Sequence, residues 1–360
     1  MIRILQCVNN MHRAGLETML MNYYRNFDRS RIQFDFLTHR PVKGDYDDEI
    51  EALGGRVFYA PRLYPKNYVK YFSYMKDFFG EHREYKIVHS HIDCMSYLPL
   101  RAAKNAGIPV RIAHSHNTAI DLDYKYPLKQ IFRKKISNVA TDYFSCGEQA
   151  GKFLFGNDVD FHVIPNAIEA DRFCFDEVVR VNKRKELNIA RSFVIGHVGR
   201  MVRQKNHQFL LSIFLQILKT IPEAVLLLIG TGEEEPKIRN LVQRFGIQDK
   251  VIFLGNRSDV DELYQVMDVF VLPSLYEGVP VVGVEAQFSG LPCIFSDRVP
   301  KEVAFSSKCR FLSLDSKIDE WAKTVIMSKT FDRNSELFSD SIFRIENAYK
   351  NLEKHYLKLL

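Results

Sequence analysis

None of the six cysteines stands in a C-x-x-C pair, so neither a zinc ribbon nor a disulfide framework is suggested, and reduced thiols fit a cytoplasmic protein. No stretch approaches the ~20 apolar residues of a membrane span, so any membrane contact would be peripheral. The opening run MIRILQCVNN lacks the basic flank and long apolar stretch of a secretory signal and reads directly as a strand. No G-x-G-x-x-G follows that strand, which weighs against a dinucleotide site. GTGEEE (Gly230–Glu235) lacks the third glycine, and GEQAGKF (Gly147–Phe153) is too short for a P-loop, with Phe153 where Ser or Thr is needed. Both read as turns or helix starts. No repeat or low-complexity tract stands out. The charge excess is small, 50 Lys and Arg against 44 Asp and Glu, which suits anionic small molecules or an acidic membrane surface but argues for no nucleic acid partner.

At 360 residues, 46% hydrophobic and 26% charged, the chain is an ordinary globular composition with enough length for two cores. Short apolar runs alternate with amphipathic stretches, the pattern of parallel strands joined by helical crossovers. In the first half the strand candidates are Ile2–Val8, Ile32–Thr38, Arg56–Ala60, Lys86–His91, Val110–Ser115, Tyr143–Cys146 and Phe161–Ile164. In the second they are Phe193–His197, Ala224–Ile229, Val251–Leu254, Val269–Leu272, Cys293–Ser296 and Arg310–Leu314. The polar stretch from Pro165 to about Asn188 reads as a hinge, because the strand pattern stops before it and restarts after it. The division expected is an N-terminal domain over 1–170, a C-terminal domain over 171–342 and an amphipathic terminal helix over 343–360, which packs on a neighbouring surface and can cross back to the first domain.

Open α/β sheets bind ligands beyond the carboxyl ends of their strands, and the polar motifs cluster there. EGVPVVGVEAQ (Glu277–Gln287) follows the strand DVFVL; Pro280 suits a first helical turn, Val281–Ser289 a helix, and Gly290 a stop. Such a helix start presents unpaired N–H groups, around Gly278, Val279, Val281 and Val282, to an anionic oxygen. Glu277 and Glu285 either favour the helix dipole or grip hydroxyls on both sides of that amide nest. GRMVRQKNH (Gly199–His207) places Arg200 and Lys205 after a strand, as a solvated basic turn or a fork and point charge for a diphosphate. HSHID (His89–Asp93) and HSHNT (His114–Thr118) put two histidine pairs at strand ends. Whether the pairs meet is not fixed by sequence, so a metal site is set aside in favour of one histidine acting by hydrogen bonding or acid/base chemistry. RAGLE (Arg13–Glu17) offers a glycine for close approach of a ligand.

Together these residues resemble the retaining glycosyltransferases of family 4, most closely bacterial enzymes that assemble exopolysaccharide or capsular polysaccharide. RAGLETMLMNYYR resembles the family's N-terminal glycine motif, VIPNAIEADRF the inter-domain motif, GRMVRQKNH the Arg/Lys phosphate motif and EGVPVVGVEA the E-x7-E motif. The resemblance covers essentially the whole chain and implies the GT-B fold, two Rossmann-like domains facing each other across a cleft. It implies a nucleotide-sugar donor, UDP-linked by expectation, a saccharide or lipid-linked acceptor, and no required cofactor or metal. By the same resemblance Arg200 and Lys205 meet the diphosphate, Glu277 the sugar hydroxyls, the amides of Gly278 and Val279 the phosphate or sugar, and Glu285 the ribose; Gly15 approaches the donor. A histidine sits near the reacting carbon, with His116 favoured over His114 by its position before Asn117. The other readings are a nucleotide-sugar epimerase of the same architecture and a non-catalytic regulator that binds nucleotide sugar.

Overall fold

The computed structural model describes residues 1–120, 123–333 and 338–359. The chain forms two compact units, Met1–Ala167 with the segment from Ile345 onward, and Ile168–Arg344.

The first unit holds seven parallel strands, β1 (Ile2–Val8), β2 (Ile32–Thr38), β3 (Val57–Tyr59), β4 (Ile87–Ser90), β5 (Val110–Ser115), β6 (Asp142–Ser145) and β7 (His162–Val163), in the order β3-β2-β1-β4-β5-β6-β7. The second holds six, β8 (Val194–Val198), β9 (Val225–Ile229), β10 (Val251–Gly255), β11 (Val269–Leu272), β12 (Cys293–Ser296) and β13 (Cys309–Leu312), in the order β10-β9-β8-β11-β12-β13. Every strand candidate thus becomes a strand, with edges shifted where pairing ends early, as when Phe161–Ile164 shortens to His162–Val163. β9 reads VLLLI and β11 VFVL, buried throughout, as parallel strands covered on both faces require. Each sheet reverses its strand order once, between β1 and β4 and between β8 and β11, and these are the points at which such sheets open a crevice.

The stretch Pro165–Asn188, expected as a hinge, contains the division between the two units, which falls between Ala167 and Ile168. Beyond that division it forms, within the second unit, the helix Glu177–Glu186, whose N-cap Asp176 accepts from Val178 and Val179 N–H. Lys183 pairs with Asp259 and Glu262, while Arg180 and Arg184 converge on Asp268. Those partners lie some 80 residues on, beyond the reach of a local reading. The terminal helix runs Ile345–Lys358 and belongs to the first unit, where Tyr356 packs edge-on to Phe27 and Phe34 and Glu353 pairs with Arg31. Leu360, the end of the terminal segment, lies outside the described residues.

Asp35 on β2 is a carboxylate with no exposed side chain, bracketed by Arg3 and Arg56 and by the Tyr85 hydroxyl at 2.6 Å. Burial alone would raise its pKa, but the hydrogen bonds from Arg3, Arg56 and Tyr85 bring it below the usual carboxylate value. The sign follows: its contribution to stability is present above the unfolded carboxylate range and is lost as pH falls through the lower folded value. Asp35→Ala leaves two arginines facing an empty polar site and is expected to destabilise the protein by about 3–5 kcal/mol, read as a shift in denaturant midpoint at neutral pH that shrinks at acid pH.

Candidate functional site

The loops after β8 and β11 leave adjacent strands at the reversal point of the second sheet. Lys205 and Glu277, 72 residues apart, form a largely buried ion pair there at 2.6 Å. Gln204 laces the same two loops: its side-chain amide donates to Tyr276 O at 2.9 Å and Glu277 Oε2 at 3.3 Å, and its backbone carbonyl accepts from Leu275 N–H at 2.8 Å. Asn206 adopts the left-handed conformation at φ 55° to start the helix His207–Leu218. Arg200 is exposed and holds no ion pair among the described residues. Glycines make this packing possible. A Cβ on Gly199 would stand 3.1 Å from Lys205 Cε, one on Gly230 would stand 2.2 Å from Gly199 O, and one on Gly232 would stand 2.4 Å from Met201 O. GTG in GTGEEE is therefore the floor under the Arg/Lys loop, a role that its failed match to a nucleotide motif concealed.

Beyond Glu277, Gly278 and Val279 are buried, Pro280 is the N-cap, and the helix runs Val281–Phe288. Gly283 and Val284 N–H bond back to Pro280 O, so the first-turn N–H groups of Val281 and Val282 are those left for an outside acceptor. Glu285 sits a turn further, buried, and accepts from Tyr264 O–H at 2.8 Å. Burial pushes its pKa up to about 7, against the lowering effect of the Tyr264 bond. Tyr264 was not legible as a site residue; it comes from another helix and its sequence surroundings carry no motif.

In the first unit the sheet order puts β4 beside β5, and this brings the two histidine pairs together. His89 Nε2 lies 3.1 Å from His114 Nδ1, and His91 Nδ1 lies 3.0 Å from His116 Nε2. One nitrogen each from His89, His91 and His114 lies within 4.8 Å of the others; His114 stacks on His116 and His89 lies tilted by 36° against His91, both at centroid separations of 4.1 Å. His114 is fully buried, whereas His116 at the strand end is half-buried. Asp93, at φ 46°, secures that end by accepting His116 N–H at 2.7 Å and the Asn117 amide at 2.8 Å. Gly15, exposed, opens the helix Gly15–Asn26 after β1, on the other side of the reversal point from β4.

The model of the family described as "Glycosyl transferases group 1" matches residues 179–327. EpsF of Bacillus subtilis, a glycosyltransferase by name, is 38% identical over 351 residues, covering 93% of this chain and 90% of its own. The chain belongs to the group 1 glycosyl transferases. As a family 4 retaining glycosyltransferase it is similar, at 31% identity over 225 residues covering 59% of this chain and 58% of the relative, to the Escherichia coli UDP-Gal:alpha-D-GlcNAc-diphosphoundecaprenol alpha-1,3-galactosyltransferase. In solved structures its GT-B fold matches that of Anabaena HepE in complex with UDP-glucose, with a TM-score of 0.83 at 18% identity over 99% of this chain and 100% of that one. Among the described residues of this glycosyltransferase no helix is long and apolar enough to cross a membrane.

Proposed function

We propose that this glycosyltransferase moves a hexose from a UDP-sugar to a saccharide or lipid-linked acceptor in the synthesis of a bacterial surface polysaccharide, working in the cytoplasm with peripheral access to the membrane. The observation that carries the reading is the buried Lys205–Glu277 pair at the sheet's reversal point, with an open helix start beside it and Glu285 one turn beyond. Glu277, with one oxygen held by Lys205, keeps acceptor capacity for sugar hydroxyls. Val281 and Val282 N–H, with the exposed fork of Arg200, suit a diphosphate. Glu285, an acceptor a turn further on, suits the ribose hydroxyls. In the reaction an acceptor hydroxyl oxygen forms the new bond to the anomeric carbon on the face from which the diphosphate departs; the hydroxyl proton leaves with the diphosphate. Catalysis is then positioning plus stabilisation of the leaving charge. The two relatives support the donor class, one being a UDP-galactose enzyme by name and the other solved with UDP-glucose. Incubating the protein with UDP- and GDP-sugars and with undecaprenyl-diphosphate-linked sugar acceptors tests it; transfer from no nucleotide sugar would sink it.

Glu285 supplies a pH signature. Burial pushes its carboxyl up to about 7, and protonation takes one of the two acceptor oxygens away from the ribose hydroxyls. Binding of UDP-glucose, which has no group titrating between pH 6 and 8, should therefore tighten as pH rises through 7 and weaken up to about tenfold per unit below it. Calorimetric titrations at pH 6 and 8 should show this slope in the wild type and a flat profile in Glu285→Gln.

A further inference from the structure

The histidine cluster is one continuous hydrogen-bonded chain with only two self-consistent polarities. It runs from His116 through His91, Gln6, Tyr356 and His89 to His114. Burial drives all four rings well below the ordinary histidine range, His116 to about 3, so each carries one ring proton at neutral pH. Gln6 Oε1, 2.8 Å from His91 Nε2, can only accept. His91 is therefore protonated on Nε2 and bare on Nδ1, and His116 donates to it from Nε2. On the other arm Tyr356 receives the Gln6 amide at 3.3 Å and lies 2.6 Å from His89 Nδ1. The short bond is the length of a phenol donating to a basic nitrogen, and the long one that of a weak amide donor. His89 then donates from Nε2 to His114 Nδ1 at 3.1 Å. All four rings come out as Nε2–H tautomers. Rotating the Gln6 amide by a half-turn reverses every bond and makes all four Nδ1–H, at the expense of the strong phenol bond. At one end His114 Nε2 is buried without a partner; at the other, His116 Nδ1 holds a lone pair that takes no hydrogen bond among the described residues.

We propose that Gln6, His91 and Tyr356 are positioning residues that hold His116 as the Nε2–H tautomer and so present its Nδ1 as an acceptor for a ligand hydroxyl. The tautomer assignment stands on the first unit alone; that the hydroxyl belongs to the donor sugar rests on the proposed function. Tyr356 makes the terminal helix part of this device, although it stands 267 residues from His89.

Two-bond ¹H–¹⁵N correlation spectra of the full-length protein labelled in histidine report the tautomer of each ring. The expected result is four Nε2–H rings, and any of the four as Nδ1–H in the wild type overturns the proposal. Tyr356→Phe should leave His116 a mixture of tautomers, because the Gln6 amide then loses the partner that fixes its orientation. If that variant fails to fold, Gln6→Met, of similar volume, should give the same mixture; a pure Nε2–H His116 in a folded variant overturns the relay. Addition of UDP-glucose should shift His116 Nδ1. If the tautomers are as expected and that signal does not move, the relay holds and the placement of His116 at the donor fails. Retention of one equivalent of zinc after dialysis against zinc, lost in His89→Ala, would replace the relay with a metal site.

Discussion

Lys205→Ala is expected to lower kcat for sugar transfer by about 100-fold or more, the loss typical when a donor that stabilises developing charge is removed from a closed site. Two effects add in this one residue. On the proposed function the leaving diphosphate loses a nearby cation, and Glu277, which is 5% exposed and bonded to Lys205 at 2.6 Å, is left as a buried carboxylate beside the Gln204 amide at 3.3 Å. Such a group swings away from its position, and the move spoils its grip on sugar hydroxyls. The two residues should therefore act as a unit: Glu277→Gln combined with Lys205→Ala should be scarcely slower than the worse single variant. Arg200, exposed and unpaired among the described residues, should instead combine additively with Lys205→Ala. Steady-state kinetics on the three singles and two doubles decide the matter. Rates within a few-fold of wild type for Lys205→Ala, or additive losses with Glu277→Gln, would contradict the coupled pair.

A second large effect is expected at a residue with no chemistry of its own. Gly230 has φ +123°, and a Cβ there would lie 2.2 Å from Gly199 O and 2.9 Å from Gly199 C. Both obstacles are backbone, so no side chain can rotate away, and the loop Gly199–Asn206 that carries Arg200 and Lys205 has to move. Gly230→Ala should cost about 3 kcal/mol or more, combining strain of ~1–3 kcal/mol at a disfavoured φ with the clash, and should reduce transfer along with stability. Gly246 is the control: its φ is +66°, but nothing lies within 4 Å of its Cβ position. Gly246→Ala should lose only about 1 kcal/mol and keep its activity. Equal melting shifts in the two variants would show that strain alone operates and that the contact under the Arg/Lys loop is immaterial.

These two cases mark where local sequence stops being informative. The strands were legible because a parallel strand buried on both faces must be an unbroken apolar run, as VLLLI and VFVL are. The helix Val281–Phe288 was legible because Pro280 and Gly290 punctuate it. The folded state of Glu177–Glu186 was not, because that helix has no buried residue of its own and is held by charges whose partners are Asp259, Glu262 and Asp268. Gly230 was discounted because its motif failed a nucleotide-binding pattern, while its actual task is steric.

The sequence by itself determined two parallel α/β sets and put each polar motif just past a strand, because apolar runs, their period and helix stops are properties of a few neighbouring residues. Only the tertiary structure decided which motifs meet. Lys205 reaches Glu277 because β8 lies beside β11, the two H-x-H pairs merge because β4 lies beside β5, and Tyr356 joins them because the terminal helix packs on the first unit. Strand order is set by the burial of whole faces against one another, and no local spacing encodes it.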